Sequence, residues 1–154
     1  MFVMAEKVKS ILITQQDPGN EKNPYYDLSK KYKIKIDYRP FIHVEGISSI
    51  DFRQQRIDIL EHAGVIFTSR NAVDHYFRIA KEMRLTIPNE MKYFCMSEAI
   101  AFYLQKYILF RKRKIFYGTG TFQSVLEFVS KHKSDKLLLP CSDLLNQSIP
   151  ATLE

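Results

Sequence analysis

The sequence predicts an α/β fold built on parallel sheet, and three observations carry the prediction. Short apolar runs recur along the 154 residues, each ending in polar or turn residues. Strands buried on both faces of a parallel sheet have this form. Amphipathic helical patterns fill the gaps, and alternation of the two implies βαβ units with right-handed connections. The third observation is the stretch Val65-Ile66-Phe67-Thr68-Ser69-Arg70-Asn71-Ala72-Val73, where an apolar run stops at two hydroxyls and a helical pattern starts at once. Such a junction offers unpaired backbone N–H groups and the positive end of a helix dipole, a favourable place for an anion.

Element by element, residues 10–14 form the first strand. Asn23 caps a helix with Pro24 in its first turn, running toward Tyr32. Residues 34–38 form the second strand, which continues past Pro40 into 41–44. Ser49 or Asp51 caps a helix carrying Phe52, Ile57 and Leu60. Residues 65–68 are the third strand. The helix after it, 71–83, places Ala72, Val73, Tyr76, Phe77, Ala80 and Met83 on one face. Strand 93–96 leads to a helix over 97–107 with Ile100, Tyr103 and Leu104 together. Strand 114–117 leads to a stripe of Phe122, Val125, Leu126 and Val129. Strand 136–139 is last, with a further helix starting near Asp143. The chain stops at 149–154 in what reads as helix, and this predicts a fragment of a longer protein.

Composition bounds the function. Apolar residues make up 45% and charged residues 26%, with a net charge of +6, a soluble globular balance. That charge permits nucleic acid, anionic lipid or a polyanionic small molecule as partner, and plain solubility also accounts for it. No apolar run approaches the roughly 20 residues that span a bilayer, and residues 1–5 lack the form of a signal peptide. The expected location is the cytoplasm. Cys95 and Cys141 both lie in apolar runs, read as small hydrophobes, and no Cys/His spacing suggests a metal.

Ligands of open parallel sheets sit beyond the carboxyl ends of the strands. The groups expected there are Thr14 and Gln15, Thr68 and Ser69, Ser97, residues 118–121 and residues 141–143. Small residues, hydroxyls and free N–H groups dominate, whereas paired carboxylates and an activated nucleophile are scarce. Such a rim binds and orients, although each Ser, Thr or Asp there is also explained as a helix cap. Gly118-Thr119-Gly120-Thr121 is half a dinucleotide fingerprint, with Gln123 where a third Gly belongs. The basic run Arg111-Lys112-Arg113-Lys114 reads as a solvated strand entry, and the aromatic residues fall at core spacing rather than on a nucleic-acid platform. His75 beside Asp74 reads as a surface ion pair; His43, His62 and His132 have no visible partners. Asn146-Gln147-Ser148 is a glycosylation sequon without a secretory context.

These residues also carry a family likeness. In order, Ile11-Leu12-Ile13-Thr14, Tyr38-Arg39-Pro40-Phe41, Phe67-Thr68-Ser69-Arg70-Asn71-Ala72-Val73, Met96-Ser97-Glu98-Ala99-Ile100-Ala101 and Leu138-Leu139-Pro140-Cys141-Ser142-Asp143 with Ile149-Pro150 resemble the uroporphyrinogen-III synthase family. The third stretch is close to that family's Phe-Thr-Ser-x-Asn-Ala-Val turn. The chain departs from the family pattern at Gln15, Ser97, Ile100 and Asn146.

The resemblance implies two lobes of parallel sheet: residues 1–39 as an incomplete first lobe, 40–48 as a crossover linker and 49–154 as a second lobe lacking its last strand. It implies a cofactor-free, metal-free lyase of tetrapyrrole and haem biosynthesis, acting as a monomer without nucleic-acid or membrane partners. Its small-molecule substrate is hydroxymethylbilane, a linear tetrapyrrole with eight carboxylates. The terminal hydroxyl leaves as water and the ring closes through a spiro intermediate with the last pyrrole inverted. Thr14, Thr68, Ser69, Arg70, Asn71, Ser97 and Ser142 are the expected substrate contacts; the catalytic acid is not assigned. The alternative is a non-catalytic α/β ligand-binding or regulatory module using the same turns for an anion. As a fragment, the chain is expected to be inactive alone. Its first forty residues are expected to be more mobile than residues 65–139, with apolar surface exposed at Ile11, Ile13 and Ile36.

Overall fold

A computed structural model of the chain describes residues 7–19, 23–109 and 112–142. It is α/β throughout, in two compact units divided after Glu45. The predicted helix near Asp143, the sequon at Asn146 and the Ile149-Pro150 pair lie outside the described residues, as does Arg111 of the basic run.

The smaller unit is one βαβ element. Strand β1 (Ser10–Ile13) pairs in parallel with β2 (Lys35–Tyr38), and α1 (Pro24–Tyr32) connects them. Asn23 caps α1 through Oδ1, which accepts from the Tyr25 N–H at 2.8 Å, and its Nδ2 donates to the Tyr38 hydroxyl at 3.1 Å. Lys33 ends the helix in the left-handed conformation. The pleat corrects the exposure expected here. Ile13 is buried, Ile11 and Ile36 are half-buried, and exposed aliphatic surface on or beside β1 lies at Val8 and Leu12, with Phe41, Ile42 and Val44 exposed further along the unit. Strand β2 also stops at Tyr38 instead of continuing through 41–44. Past it the Arg39 N–H still donates to the Ile13 carbonyl at 2.8 Å and the Phe41 N–H to the Thr14 carbonyl at 3.2 Å, but strand pairing ends at Ile13–Tyr38.

The larger unit opens with α2 (Ser49–Gln54), shorter than its sequence suggested and capped by Ser48 rather than Ser49 or Asp51. Ser48 Oγ accepts from the Asp51 N–H at 3.1 Å and donates to the Asp51 carboxylate at 2.7 Å. Arg56, with φ of 55°, breaks the helix. Ile57 therefore lies outside it and Leu60 falls in a separate turn, Ile59–Glu61, in which Ile59 is the buried residue.

Four parallel strands follow: β3 (Gly64–Phe67), β4 (Lys92–Cys95), β5 (Ile115–Tyr117) and β6 (Leu137–Leu138), in spatial order β5-β4-β3-β6. Alternate residues face opposite sides. Val65, Phe67, Tyr93, Cys95 and Ile115 meet α3 (Arg70–Glu82) and α4 (Glu98–Tyr103). Ile66 and Phe94 meet α5 (Phe122–Val129) through Val125. The predicted 97–107 helix is α4 plus a tight 3-10 turn, Leu104–Lys106. Ile79 joins the buried face of α3 beside Val73, Tyr76 and Ala80.

This order follows from which face each helix covers. Helices α3 and α4 carry the chain from β3 to β4 to β5 on one face. Helix α5 crosses the other face and sets β6 on the far side of β3. The direction of winding thus reverses between β3 and β6, where α/β sheets form a ligand crevice.

Two buried side-chain atoms have no hydrogen-bond partner among the described residues, His75 Nδ1 and the Tyr76 hydroxyl. Burial raises the pKa of the Tyr76 hydroxyl above the ordinary phenol value. Tyr76→Phe removes a desolvated, unsatisfied oxygen and is expected to stabilise the unit by about 1 kcal/mol. Urea titration by far-UV circular dichroism measures this, and a comparable loss of stability would show that the hydroxyl is satisfied.

Candidate functional site

Four turns line the carboxyl edge of the larger sheet: Thr68-Ser69 after β3, Met96-Ser97 after β4, residues 118–121 after β5 and residues 139–142 after β6. Three are stitched together. The Met96 N–H donates to the Phe67 carbonyl at 2.9 Å, the Gly120 N–H to the Met96 carbonyl at 2.8 Å, and Ser97 and Thr119 form an isolated bridge. Gly120 takes a φ of 104°, which explains a glycine there better than a nucleotide fingerprint does. The fourth turn is set apart. Strand β6 pairs with β3 only at Gly64–Leu137 and Val65–Leu138, so Ile66 and Phe67 have no ladder partner on that side. Beyond these pairs the two strands are not paired among the described residues, and Ser69 follows the one as Ser142 follows the other.

Ser69 is the N-cap of α3, with Oγ accepting from the Ala72 N–H at 3.1 Å. Capping and ligand binding are compatible here, because a hydroxyl that accepts from the helix retains its own O–H to donate. The N–H groups of Arg70 and Asn71 have no hydrogen bond among the described residues, and the first turn of α3 carries no acidic residue. A carboxylate placed there meets two free donors and the helix dipole. The Arg70 side chain is exposed, with its guanidinium over the Tyr103 ring.

Ser97 differs in kind. It makes no side-chain cap, and Glu98 already places negative charge in the first turn of α4. Thr121 caps α5, and Ser124 Oγ accepts from the Thr119 N–H at 2.9 Å, so that turn is internally satisfied. Thr14 belongs to the smaller unit, where it follows β1, is exposed and accepts the Phe41 N–H at 3.2 Å. Beside it Gln15 joins Asn23, Tyr25 and Tyr38 in lining a shallow cavity of about 340 Å³.

A hollow of similar volume in the larger unit lies at the opposite, amino edge of the sheet, among Phe77, Met91, Tyr93, Tyr107 and Ile115. Its cation, Lys114, is committed to the Asn89 carbonyl. Parallel sheets do not gather ligand donors at that edge. The described part of the basic run also sits there, just before β5.

Several expectations from sequence are corrected. Asp74 does not pair with His75; it accepts from the hydroxyls of Tyr103 and Tyr107 and from Lys106. Desolvation raises the Asp74 carboxyl, but hydrogen bonds from Tyr107, Tyr103 and Lys106 outweigh it and hold the pKa below the usual value. His75 Nδ1 is buried without a partner. His132 does have partners: Lys92 at 3.1 Å and Asp135 at 3.3 Å. His62 bonds the Asp58 carbonyl at 2.7 Å, and His43 lies 3.3 Å from Glu45. Cys141 is exposed, whereas Cys95 is buried, with its thiol pushed up to about 12 by that burial. Cys95 is therefore no thiolate nucleophile at neutral pH. Among the described residues no three metal-ligating side chains converge, and no helix is long and apolar enough to cross a membrane.

Comparison with known proteins agrees with this architecture. The family model described as uroporphyrinogen-III synthase HemD matches residues 28–154. No curated protein gives a significant match. Among solved structures, a mutant uroporphyrinogen III synthase from the extremely thermophilic bacterium Thermus thermophilus aligns with a TM-score of 0.64 and 14% identity. The alignment covers 95% of this chain and 57% of that one. At such identity the likeness establishes fold, and the family model, matching most of the chain, establishes kinship: the chain belongs to the uroporphyrinogen-III synthase family.

Proposed function

We propose that the chain supplies substrate-binding turns of a uroporphyrinogen-III synthase, a cytoplasmic, monomeric lyase that cyclises hydroxymethylbilane. One coincidence carries the reading. The family's strongest motif, 67–73, falls at the winding reversal of the sheet, on a helix start with free donors and no acid of its own. In this reading Thr68, Ser69 and the N–H groups of Arg70 and Asn71 hold substrate carboxylates, and Ser142 lies across the β3/β6 crevice. Ser97 and Thr14 complete the proposed contacts.

The chemistry suits such a site. The substrate brings its own nucleophile, the terminal pyrrole, and its own leaving group, the hydroxymethyl oxygen. When that C–O bond breaks, the hydroxyl takes up a proton and leaves as water, a pyrrole carbon forms the new carbon–carbon bond, and the pyrrole sheds a proton as it becomes aromatic again, so that one water is lost overall. The protein has to fold the chain, hold its carboxylates and keep the reacting carbons close. Preorganised donors do this without an ionisable nucleophile.

The test is a coupled assay that generates hydroxymethylbilane and resolves product isomers by chromatography, using protein from the complete reading frame. Type III uroporphyrinogen is the expected product. Formation of the type I isomer alone, the spontaneous product, would overturn the proposal.

A further inference from the structure

We infer that Tyr103 is a positioning residue: its ring holds the Arg70 guanidinium at the carboxyl edge of the sheet as a carboxylate-reading group, and Asp74 anchors the ring. The inference rests on the binding role proposed above, but on side chains rather than on the helix N–H groups.

Arg70 and Asp74 are four residues apart on α3, a spacing at which opposite charges on a helix meet. They do not form an ion pair. Asp74 is taken by partners from beyond α4's first turn. Both its oxygens accept from the Tyr103 hydroxyl, at 2.9 and 3.0 Å, one accepts from the Tyr107 hydroxyl, and Lys106 Nζ lies at 3.4 Å. Lys106 also sits over both rings, 5.3 Å from the Tyr103 centroid and 5.2 Å from that of Tyr107. Tyr107 is in turn stacked on Phe77 at 4.6 Å. The charge of Asp74 is therefore matched by Lys106, and Arg70 is the surplus cation of the group.

Its guanidinium is nonetheless placed. The Arg70 Cζ lies 5.4 Å from the Tyr103 centroid, within the roughly 6 Å reach of a cation–π contact. A guanidinium held over a ring face makes that contact through its charge and leaves N–H donors for a bidentate carboxylate. The contact also limits the rotamers the long side chain would otherwise lose on binding. Phe at position 103 would supply the ring but not the hydroxyl that fixes it to Asp74. A hydroxyl donor and a π face on one side chain are what these contacts use.

The experiment titrates uroporphyrin III, a stable eight-carboxylate porphyrin, into the chain and follows porphyrin fluorescence. It compares wild type, Arg70→Gln, Tyr103→Met and the double variant, each checked for folding by circular dichroism. Arg70→Gln is expected to weaken binding about tenfold, the scale of one lost charge-assisted contact at an exposed site. Tyr103→Met should weaken it severalfold. The double variant should bind like Arg70→Gln alone, because Tyr103 acts through Arg70. Tyr103→Phe keeps the ring but loses the bond to Asp74, so its affinity should fall between those of wild type and Tyr103→Met, and full wild-type affinity would overturn the anchoring role of Asp74. Losses that multiply in the double variant would overturn the inference, since a packing role predicts that result. Wild-type affinity in Arg70→Gln would overturn it while leaving the proposed binding site intact; no saturable binding by wild type would overturn both. Without any variant, the Arg70 Nε–H resonance should move when the porphyrin is added. An unmoved resonance in a protein that binds would also defeat the inference.

Discussion

Phe67→Ala is expected to destabilise the larger unit by about 3–5 kcal/mol, the cost of emptying a fully buried aromatic site. Phe67 has no exposed surface. Its ring meets Tyr76 edge-on at 5.5 Å and stacks on Tyr93 at 6.2 Å. It is also the last residue of β3, directly before Thr68-Ser69. Losing it removes both the packing that joins α3 to the sheet and the anchor of the proposed binding turn. A domain of this kind has only about 5–15 kcal/mol in total, so the variant should be partly unfolded at physiological temperature. The chain has no Trp, so tyrosine emission and far-UV circular dichroism during urea titration are the readouts. Leu109→Ala, at a side chain 81% exposed, serves as control and should stay within about 0.5 kcal/mol of wild type. A loss below about 1 kcal/mol for Phe67→Ala would show that β3 is not a central, two-sided strand.

The parts of the fold that were legible in the sequence are those fixed by near neighbours. Helix α3 shows in its apolar stripe and in the abrupt stop at Thr68-Ser69. Helix α1 shows in Asn23-Pro24, where cap and first turn need each other. What failed needed information from further away. The end of α2 depends on Arg56 adopting a left-handed backbone, which no periodicity reveals. The order β5-β4-β3-β6 depends on α5 covering the opposite face from α3 and α4, and the Phe122, Val125 and Val129 stripe reads the same on either face. The Asp74 cluster was hidden for the same reason. Its hydroxyl partners lie 29 and 33 residues away in sequence, while the adjacent His75 is turned to other neighbours. The proposed binding turn was legible as a junction of two local patterns. Its place at the crevice was not, because that follows from strand order.

Ser69→Pro is expected to abolish saturable binding of uroporphyrin III, with an affinity loss of at least about a hundredfold, whereas Ser69→Ala should lose only about tenfold. Both variants remove the same hydroxyl. Each therefore forfeits the Ala72 cap, worth about 0.5–2 kcal/mol of helix stability, and one O–H donor to the ligand. They differ in the backbone. Ser69 has φ of −151° and ψ of 163°. Proline fixes φ near −65°, roughly 85° away, and removes the residue's N–H. The turn must then rotate, and with it the direction in which the Arg70 and Asn71 N–H groups point. If those backbone donors carry most of the affinity, geometry outweighs the hydroxyl and proline is far worse than alanine. Equal losses in the two variants would assign the affinity to the hydroxyl and defeat the backbone reading. Matching urea midpoints for the pair would confirm that the difference lies in the turn and not in the stability of α3.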